Sequence, residues 1–242
     1  MSETAAIPPA PPTSPHVPPR PPTSPTSPTS PTSPAPTART TYRHGDLRRA
    51  LLQAGMDLAQ AGGPDAIVLR EATRRAGVVP NAAYRHFANR HDLLQAVRAA
   101  ALSRLAMAME AELATVPAEA EAAARARASL RAIGQGYLRF ALTETGLFRT
   151  AFSVRDEVEQ DADPAKAGAS GLNPFQLLAA ALDGLVTAGV LPAERRPGAE
   201  YLAWAAVHGL AILLIDGPLY GRAAEQAGML GQRLVEMVEK GL

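Results

Sequence analysis

Apolar residues recur every three or four positions over most of the chain, and this spacing predicts helices. The first helix is predicted from about Gly45 to Gln60. Its apolar positions are Leu47, Leu51, Ala54 and Leu58. Because the same spacing continues towards the C-terminus, we predict an all-α fold.

The stretch from Leu69 to Phe87 predicts two short helices joined by a tight turn. The apolar face of the first helix consists of Leu69, Ala72 and Ala76, at positions i, i+3 and i+7. Gly77 can adopt the positive φ that ends a helix without a Cβ penalty. Pro80 suits the first position of the next helix, where an N–H would have no partner in any case.

The second of these helices has a polar outer face. Ala83 and Phe87 point inward at positions i and i+4. The positions left for the outer face are Asn81, Ala82, Tyr84, Arg85 and His86. A helix, a glycine turn and a short polar-faced helix form the helix-turn-helix plan, whose second helix enters the DNA major groove.

A long fourth helix is predicted after this motif. Asn89 can cap it, with Asp92 as the capping-box partner, and Pro117 ends it. At 1.5 Å per residue such a helix spans about 35 Å. That length lets it join a three-helix headpiece to a second domain as a lever.

Five more helical segments are predicted in the second half of the chain. Their approximate ranges are Ala118–Leu142, Gly146–Phe152, Pro174–Thr187, Glu200–Ile215 and Ala223–Lys240. Arg155 to Leu172 lacks periodicity, and we predict a mobile loop there.

The last two helices predict a homodimer. Glu200–Ile215 is apolar on nearly all sides, and we expect it to be buried all round. The final helix carries one stripe of Ala227, Leu230, Leu234 and Met237. A buried helix beside an amphipathic one suits a two-fold helical interface. The predicted interface residues are Leu210, Leu214, Leu230, Leu234 and Met237.

Composition divides the chain into three parts. Of its 22 prolines, 14 lie before residue 37, with a repeated Pro-Thr-Ser triplet from Pro22 to Pro34. We predict that residues 1–37 are a disordered tail, because such a segment cannot bury a core. A docking segment for a proline-recognising partner and a phosphorylated tract are the alternatives. Residues 38–92 then form a basic arm with a DNA-binding domain, and residues 93–242 a helical ligand-binding and dimerisation domain.

Several classes of protein are disfavoured. The 242 residues contain no cysteine, which excludes a disulfide framework. Neither an apolar run of about 18 residues nor a signal-peptide pattern is present, so we expect a soluble cytoplasmic protein without a membrane partner. The five histidines show no HExxH spacing, and no GxSxG or phosphate-binding loop occurs. We therefore predict no enzyme activity, no metal and no cofactor.

Charge is concentrated around the helix-turn-helix motif. Between Arg39 and His91 there are nine arginines against four acidic residues, a local charge of +5, although the whole chain carries only +1. Such a concentration is what neutralisation of DNA phosphates requires.

Several short sequences make the resemblance to a family specific. RRAGV, AYRHF and NRHDLL, preceded by YRHGDLRRALL, resemble the DNA-binding core of TetR-type transcriptional regulators over Tyr42 to Leu94. WAAVHGLA, from Trp204 to Ala211, resembles a Trp-x-x-x-His-Gly signature in the ligand domain of one branch of that family.

The resemblance implies which residues contact DNA. Tyr84 and His86 match phosphate-contacting positions of the recognition helix, Arg90 the basic residue just past it and Tyr42 the arm. Base reading then falls to Asn81, which can bond adenine, to Ala82, which can touch a thymine methyl group, and to Arg85. The full predicted set is Tyr42, Arg43, Arg70, Asn81, Ala82, Tyr84, Arg85, His86 and Arg90. The alternative for Tyr84 is that its ring packs on the headpiece.

Three residues depart from the pattern of the family. Val68 and Val79 stand where serine or threonine commonly caps the second and third helices, and Thr73 stands where a small alanine is usual. Valine cannot accept the cap hydrogen bond, and each loss costs about 1 kcal/mol of local helix stability. We expect a weaker or more salt-sensitive DNA complex than is usual for the family.

A pocket for a small hydrophobic ligand is predicted in the second domain, as a helical bundle can provide. The candidate lining residues are Met107, Tyr137, Phe140, Phe148, Phe152, Phe175, Trp204 and His208. Each of them could instead be an ordinary core residue, and His208 could be a hydrogen-bonded core or interface histidine.

Together these features predict a ligand-responsive homodimeric regulator. We expect a repressor that binds a palindromic operator in double-stranded DNA and is released by the ligand. One rival is a helical interaction protein on the same scaffold with weak or lost specific DNA binding, and an enzyme that uses the pocket is the other.

Overall fold

The structure, a computed structural model, describes residues 44–154, 163–222 and 224–242. The predicted tail, the basic arm and residues 155–162 of the predicted loop lie outside the described residues. The helices are α1 His44–Gly62, α2 Leu69–Arg75, α3 Pro80–Ala83, α4 Arg90–Leu113, α5 Ala122–Thr143, α6 Thr145–Ala151, α7 Pro174–Thr187, α8 Ala199–Ile215 and α9 Ala224–Gly241. No strand occurs within these ranges, which confirms the predicted all-α fold.

Helices α1 to α3 form the headpiece, whose core contains Leu51, Ile67, Ala72 and Phe87. The turn between α2 and α3 closes as the sequence predicts, because Gly77 has a φ of 67°. The Val78 N–H donates to the Thr73 carbonyl at 3.2 Å, and the Gly77 N–H donates to the Arg74 carbonyl at 3.2 Å. These two bonds form a Schellman motif, which satisfies the last carbonyls of α2.

The long helix α4 begins at the predicted cap. The Asn89 side chain accepts the Asp92 N–H at 2.9 Å, while the Asp92 carboxylate accepts the Ala88 N–H at 3.1 Å. With 24 residues, α4 is about 36 Å long. A Cβ on Gly136 of α5 would lie 2.6 Å from the Cα of Met109, so a glycine is what lets α5 cross α4 this closely.

Helix α5 lies at the centre of the second half, with α4, α7, α8 and α9 around it. Its inner face is buried throughout and consists of Leu130, Ile133, Tyr137, Phe140 and Ala141. Among the described helices none is long and apolar enough to cross a membrane.

The prediction that α8 is buried all round is wrong for the single chain. Leu202 is 67% exposed and Leu213 is 42% exposed, whereas Leu210 and Leu214 are buried. The physical reason is that α5, α7 and α9 cover only one side of α8. Hydrophobic composition alone could not tell which side of an apolar helix its own chain covers.

This arrangement changes the predicted dimer surface. Leu210 and Leu214 already pack against their own chain and cannot offer a free face to a partner. On α9, Val235 is buried, whereas Leu230 and Met237 are 37% and 59% exposed. Leu234 is half-buried and packs against the core. The stripe on α9 is therefore divided, because Ala227 and Leu234 pack on the core of their own chain and Leu230 and Met237 do not.

Residues 163–172 of the predicted mobile loop are hydrogen-bonded to α4. These residues, which we call the strap, contain a 3-10 turn at Pro164–Lys166 and lie along α4. The Glu110 carboxylate accepts the N–H groups of Ala169 and Ser170 at 2.8 and 2.9 Å. Because Glu110 of α4 accepts backbone N–H groups of the strap, this segment is held in place without the apolar periodicity of a helix or strand.

Candidate nucleic-acid interface and ligand cavity

The outer surface of α3 and the turn after it carries the predicted base-reading and phosphate-contacting side chains. Asn81 and Arg85 are exposed, and Tyr84 is 56% exposed. Tyr84 is thus not enclosed by the headpiece, which argues against its alternative packing role. Ala82 and His86 are half-buried, and His86 also has contacts within the chain. Tyr42 and Arg43 lie outside the described residues.

Arg90 is held by the headpiece itself through two hydrogen bonds. Its Nε donates to the Ile67 carbonyl at 2.7 Å, and its Nη2 donates to the Pro64 carbonyl at 2.7 Å. Both acceptors lie in the connection before α2, so Arg90 ties the start of α4 to that connection. Proximity to the recognition helix in sequence cannot reveal such a contact, because the two carbonyls lie more than twenty residues away.

The charge of α2 is partly neutralised within the helix. Glu71 accepts hydrogen bonds from Arg74 at 2.7 and 2.8 Å and from Arg75 at 3.0 Å. Arg74 and Arg75 hold the pKa of Glu71 at about 2, so its carboxylate stays ionised. Arg70 is exposed on the same helix. The local excess of positive charge counted from the sequence is therefore less available to phosphates than the count suggests.

The caps of α2 and α3 are missing, as Val68 and Val79 predict. Neither valine makes a side-chain cap hydrogen bond, and Val79 is 68% exposed. Thr73 is buried, and its hydroxyl donates to the Leu69 carbonyl at 2.7 Å. The larger Thr73 side chain is therefore accommodated, while the first N–H groups of α2 and α3 lack the serine or threonine partner usual in the family.

A cavity of about 80 Å³ lies among α4, α5, α7, α8 and α9. Its wall is formed by Leu102, Met109, Leu130, Ile133, Gly134, Tyr137, Phe152, Lys166, Asn173, Pro174, Phe175, Leu178, Ala203, Trp204, Val207, Val235 and Val238. Most of these side chains are aliphatic or aromatic. The cavity can therefore hold a small apolar molecule.

Four of the eight predicted ligand residues line this cavity, namely Tyr137, Phe152, Phe175 and Trp204. Met107 is 45% exposed on the outer side of α4 and does not line this cavity. Phe140 is buried and does not line this cavity, but together with Met107 it lines a second, more polar pocket of about 360 Å³ between α4 and α5. Helical spacing could not show which of these residues line the cavity, because more than one face of α4 and of α5 carries apolar residues.

Phe148 and His208 stand behind the cavity wall as supports. The Phe148 ring lies 5.6 Å from that of His208 and 5.5 Å from that of Tyr137, centroid to centroid. The Phe152 ring, which does line the cavity, lies 4.9 Å from that of His208. Phe148 is fully buried. Aromatic pairs at these separations add stability beyond the area they bury.

A chain of hydrogen bonds joins three of these aromatic side chains. Trp204 Nε1–H donates to the Tyr137 hydroxyl at 3.1 Å, and the Tyr137 hydroxyl is hydrogen-bonded to His208 Nδ1 at 2.7 Å. Because the Tyr137 oxygen already accepts from Trp204, we assign the Tyr137 proton to this bond, which places the proton of neutral His208 on Nε2. Burial raises the pKa of Tyr137 and lowers the pKa of His208, so both groups favour their uncharged states.

Two cavity residues escaped the sequence analysis. Asn173 caps α7 by accepting the Gln176 N–H at 2.9 Å, and the pattern Asn-Pro followed by Gln is a readable helix start. Lys166 is brought to the wall by the strap. No periodicity marks Lys166, and only the tertiary structure places it there. Within the described residues no group of three or more His, Cys, Asp or Glu side chains could hold a metal ion.

Comparisons with known proteins agree with this architecture. Residues 51–97 match the family model described as bacterial regulatory proteins of the tetR family. Residues 130–238 match the model described as tetracyclin repressor-like, C-terminal domain. No curated protein matches the chain.

Solved structures resemble the chain along most of its length. A protein with unknown function from Rhodococcus sp. RHA1 is 25% identical, with a TM-score of 0.66 over 84% of this chain and 99% of that one. The TetR family transcriptional regulator PfmR from Thermus thermophilus is 18% identical, with a TM-score of 0.52 over 79% and 98%. A putative TetR-family transcriptional regulator from Mesorhizobium loti MAFF303099 is 14% identical, with a TM-score of 0.54 over 83% and 98%.

The two family models cover the headpiece and the cavity-bearing half in the order expected of one regulator. Structures of TetR-family regulators share the helical architecture of both parts. The chain therefore belongs to the TetR family of bacterial transcriptional regulators.

Proposed function

We propose that this protein is a homodimeric repressor that binds a palindromic operator and releases it when a small hydrophobic ligand enters the cavity. The observation that carries the proposal is the combination, in one chain, of an exposed recognition surface on α3 with an apolar cavity walled partly by α4. The cytoplasmic location predicted from the sequence goes with this proposal, since bacterial DNA lies there. TetR-family regulators are generally not enzymes, and the proposal assigns the cavity to sensing.

DNA contact is assigned to the exposed side chains of the headpiece. Asn81 and Arg85 face outward and can reach base edges, while Tyr84 can donate its hydroxyl to a phosphate. Arg70 is exposed on α2 and can add a phosphate contact. Arg90 is assigned to the internal support of the headpiece because its guanidinium already binds two carbonyls.

The dimer is assigned to the uncovered faces of α8 and α9. Its apolar side chains are Leu202, Ile212, Leu213, Met229, Leu230 and Met237, all of which are at least 37% exposed in the single chain. Two such helix pairs related by a two-fold axis form a four-helix interface. This set replaces Leu210 and Leu214 of the sequence prediction and keeps Leu230 and Met237.

The proposed response to a ligand depends on which helices form the wall of the cavity. Leu102 and Met109 of α4 form part of its wall, so a ligand that fills it bears directly on the long helix. Helix α6 forms a second route, because Phe148 supports His208 while Gly146 packs against the Ala59 carbonyl of α1. A ligand that prefers one arrangement of these helices shifts the population towards it. Two headpieces must stay about 34–36 Å apart to fit successive half-sites, so a tilt of α4 breaks the fit.

A mobility-shift titration on the DNA upstream of the gene, at two salt concentrations, tests the proposal. We expect a discrete complex that survives excess unrelated DNA and weakens as salt rises. Tyr84→Phe should weaken binding evenly across sequences, whereas Asn81→Ala should change which sequence is preferred. Binding that is weak and indifferent to sequence would refute the regulator proposal.

A second candidate function is a helical interaction protein that has lost specific operator binding. The uncapped starts of α2 and α3, the pairing of Arg74 and Arg75 with Glu71, and the internal role of Arg90 favour it. The same titration separates the two candidates. A protein that dimerises but gives only sequence-indifferent complexes fits the second one.

A further inference from the structure

The cavity wall is largely apolar, and its hydrogen-bonding side chains already have partners within the chain. Tyr137 accepts the Trp204 Nε1–H and is hydrogen-bonded to His208. The Asn173 side chain accepts the Gln176 N–H as the cap of α7. A ligand that sought hydrogen bonds from these groups would first have to break existing ones, which costs as much as it returns. A ligand in this cavity therefore gains little from polar groups of its own.

The charges at the wall do not favour a charged ligand. None of the described lining residues is acidic, so a cationic ligand would meet no counterion there. Lys166 is the one charged side chain among them, and it is half-buried with interactions inside its own chain. Burial raises the pKa of Tyr137 and lowers the pKa of His208, so neither group supplies a charge at neutral pH. An ion that left water for this cavity would lose its hydration and would have to compete for partners already in use.

The volume of the cavity limits the size of its ligand. A cavity of about 150 Å³ lined by leucine, isoleucine and phenylalanine stays dry and binds benzene. The cavity of this chain measures about 80 Å³ and also has a mainly aliphatic and aromatic lining. A single ring therefore fits only if the wall moves outward. Leu102 and Met109 of α4 belong to this wall, and so do Val235 and Val238 of α9, so such a ligand presses on both helices.

We propose that the cavity binds an uncharged, hydrocarbon-like molecule with a single ring, which packs against the wall without a hydrogen bond to it. This inference rests on the proposed ligand response and names the ligand class for that same cavity. Four aromatic side chains of the wall can pack against such a ring, namely Tyr137, Phe152, Phe175 and Trp204. The Trp204 ring lies 6.1 Å from the Phe152 ring and 6.1 Å from the Phe175 ring, centroid to centroid. Aromatic contacts at such separations add to the free energy gained from burying apolar area.

Fluorescence of the full-length protein tests the charge preference. Trp204 is the sole tryptophan of the chain and lines the cavity, so its emission reports on what enters. Toluene, benzoate and benzylamine serve as probes because each has one aromatic ring that carries one further carbon. At neutral pH toluene is uncharged, benzoate is an anion and benzylamine is a cation. We expect both ions to bind at least about 100-fold more weakly than toluene, because each would lose its hydration on entry.

Two variants with opposite expected effects locate the site. Ala203 is buried and lines the cavity, so Ala203→Leu should fill it and weaken toluene binding by about ten-fold or more. Leu178→Ala removes a lining side chain, and we expect toluene to bind about five-fold more tightly because the wall no longer has to move. A misfolded variant could not produce this gain. Ala124→Leu, at an exposed position of α5, is the matched control for Ala203→Leu and should bind toluene as the wild type does.

The outcomes separate this inference from the proposed function. Binding of benzoate or benzylamine as tight as that of toluene overturns the inference, and ligand sensing then stands with a charged ligand. An unchanged toluene affinity in Ala203→Leu, or no response of Trp204 to toluene, also overturns it, and the mobility-shift titration then decides the proposed function alone. Toluene binding that Ala203→Leu abolishes, without any effect of toluene on operator binding, supports the inference and contradicts the proposed release mechanism.

Discussion

The headpiece and the cavity domain are stabilised by side-chain contacts of different range. In the headpiece, Glu71 pairs with arginines three and four residues away, and Thr73 bonds the carbonyl of Leu69 four residues back. In the cavity domain, Tyr137 bonds His208 and Trp204 across 71 and 67 residues. The headpiece also has longer contacts, because Arg90 reaches back 23 and 26 residues and the Arg48 guanidinium lies 5.4 Å from the centroid of the Phe87 ring.

This difference bears on how each region works. Local contacts shape a surface that keeps its form whether or not the rest of the chain moves, which suits a DNA-reading element that is carried as a unit. Long-range contacts tie α5 to α8 around a cavity, so an occupant that separates these helices must disturb them. We therefore expect recognition to be encoded in the headpiece and response in the cavity domain, and four experiments test this division.

The largest effect should come from Leu213→Glu on the exposed face of α8. A carboxylate at this 42% exposed position would be buried without a partner in the proposed dimer, so we expect a monomer by light scattering. Loss of bivalent attachment should weaken operator binding by about 100-fold or more, although the headpiece itself is unchanged. Leu142→Glu, at a 39% exposed leucine of α5, is the control and should stay dimeric. A Leu213→Glu monomer with full operator affinity would show that the headpiece needs no second copy.

The next largest effect should separate long-range from local hydrogen bonds. Tyr137→Phe leaves His208 Nδ1 and Trp204 Nε1 without their shared partner, and should cost about 1–3 kcal/mol of unfolding free energy in urea titrations. Thr73→Val removes a bond within one helix turn and should cost less than about 1 kcal/mol. Equal costs would contradict the distinction between the two regions.

A smaller gain is expected from Val79→Thr at the start of α3. A threonine cap can accept an N–H of the first turn and should stabilise α3 by about 1 kcal/mol. If the whole of this stabilisation free energy contributes to DNA binding, the DNA dissociation constant should fall about five-fold in mobility-shift titrations. Val154→Thr, an exposed valine outside any helix, should have no effect. No gain from the cap would mean that the missing cap does not limit DNA binding.

The smallest effect should appear in the pH dependence of stability. Burial lowers the pKa of His208 below 6.5, so the unfolded chain binds this proton more readily than the folded one. Its contribution to stability is therefore fully present above pH 6.5 and is lost as the pH falls through the folded pKa. Thermal unfolding at pH 7 and pH 5 should show this loss in the wild type and in His91→Asn, whose residue is exposed. His208→Asn, which keeps an acceptor for Tyr137, should lose less stability between the two pH values.

The sequence predicted the helices of the fold well, because the signals that start and end a helix lie in neighbouring residues. Pro174 starts α7 at the first helical position, and the α2–α3 turn follows from Gly77. Capping and positive φ act within one turn of chain, so they can be read from neighbouring residues.

The sequence predicted the site residues less well where a contact with a residue far away in the chain decides what a side chain does. Arg90 looks like a phosphate contact in sequence, but two carbonyls from the connection before α2 hold it. Met107 lies on the outer face of α4, and Leu210 is covered by its own chain, although both belong to apolar patterns. The apolar pattern along one helix shows which of its residues share a face. It does not show which other helices pack against that face.

The sequence by itself determined the family, the helix-turn-helix and the aromatic residues that surround the cavity. Those features depend on residue types at short spacing, for which the backbone geometry is nearly fixed. The tertiary structure alone decided that Lys166 reaches the cavity wall, that His208 is joined through Tyr137 to Trp204, and that Leu202 and Leu213 are the uncovered residues of α8. These facts depend on how helices far apart in sequence pack together, and no local spacing encodes that packing.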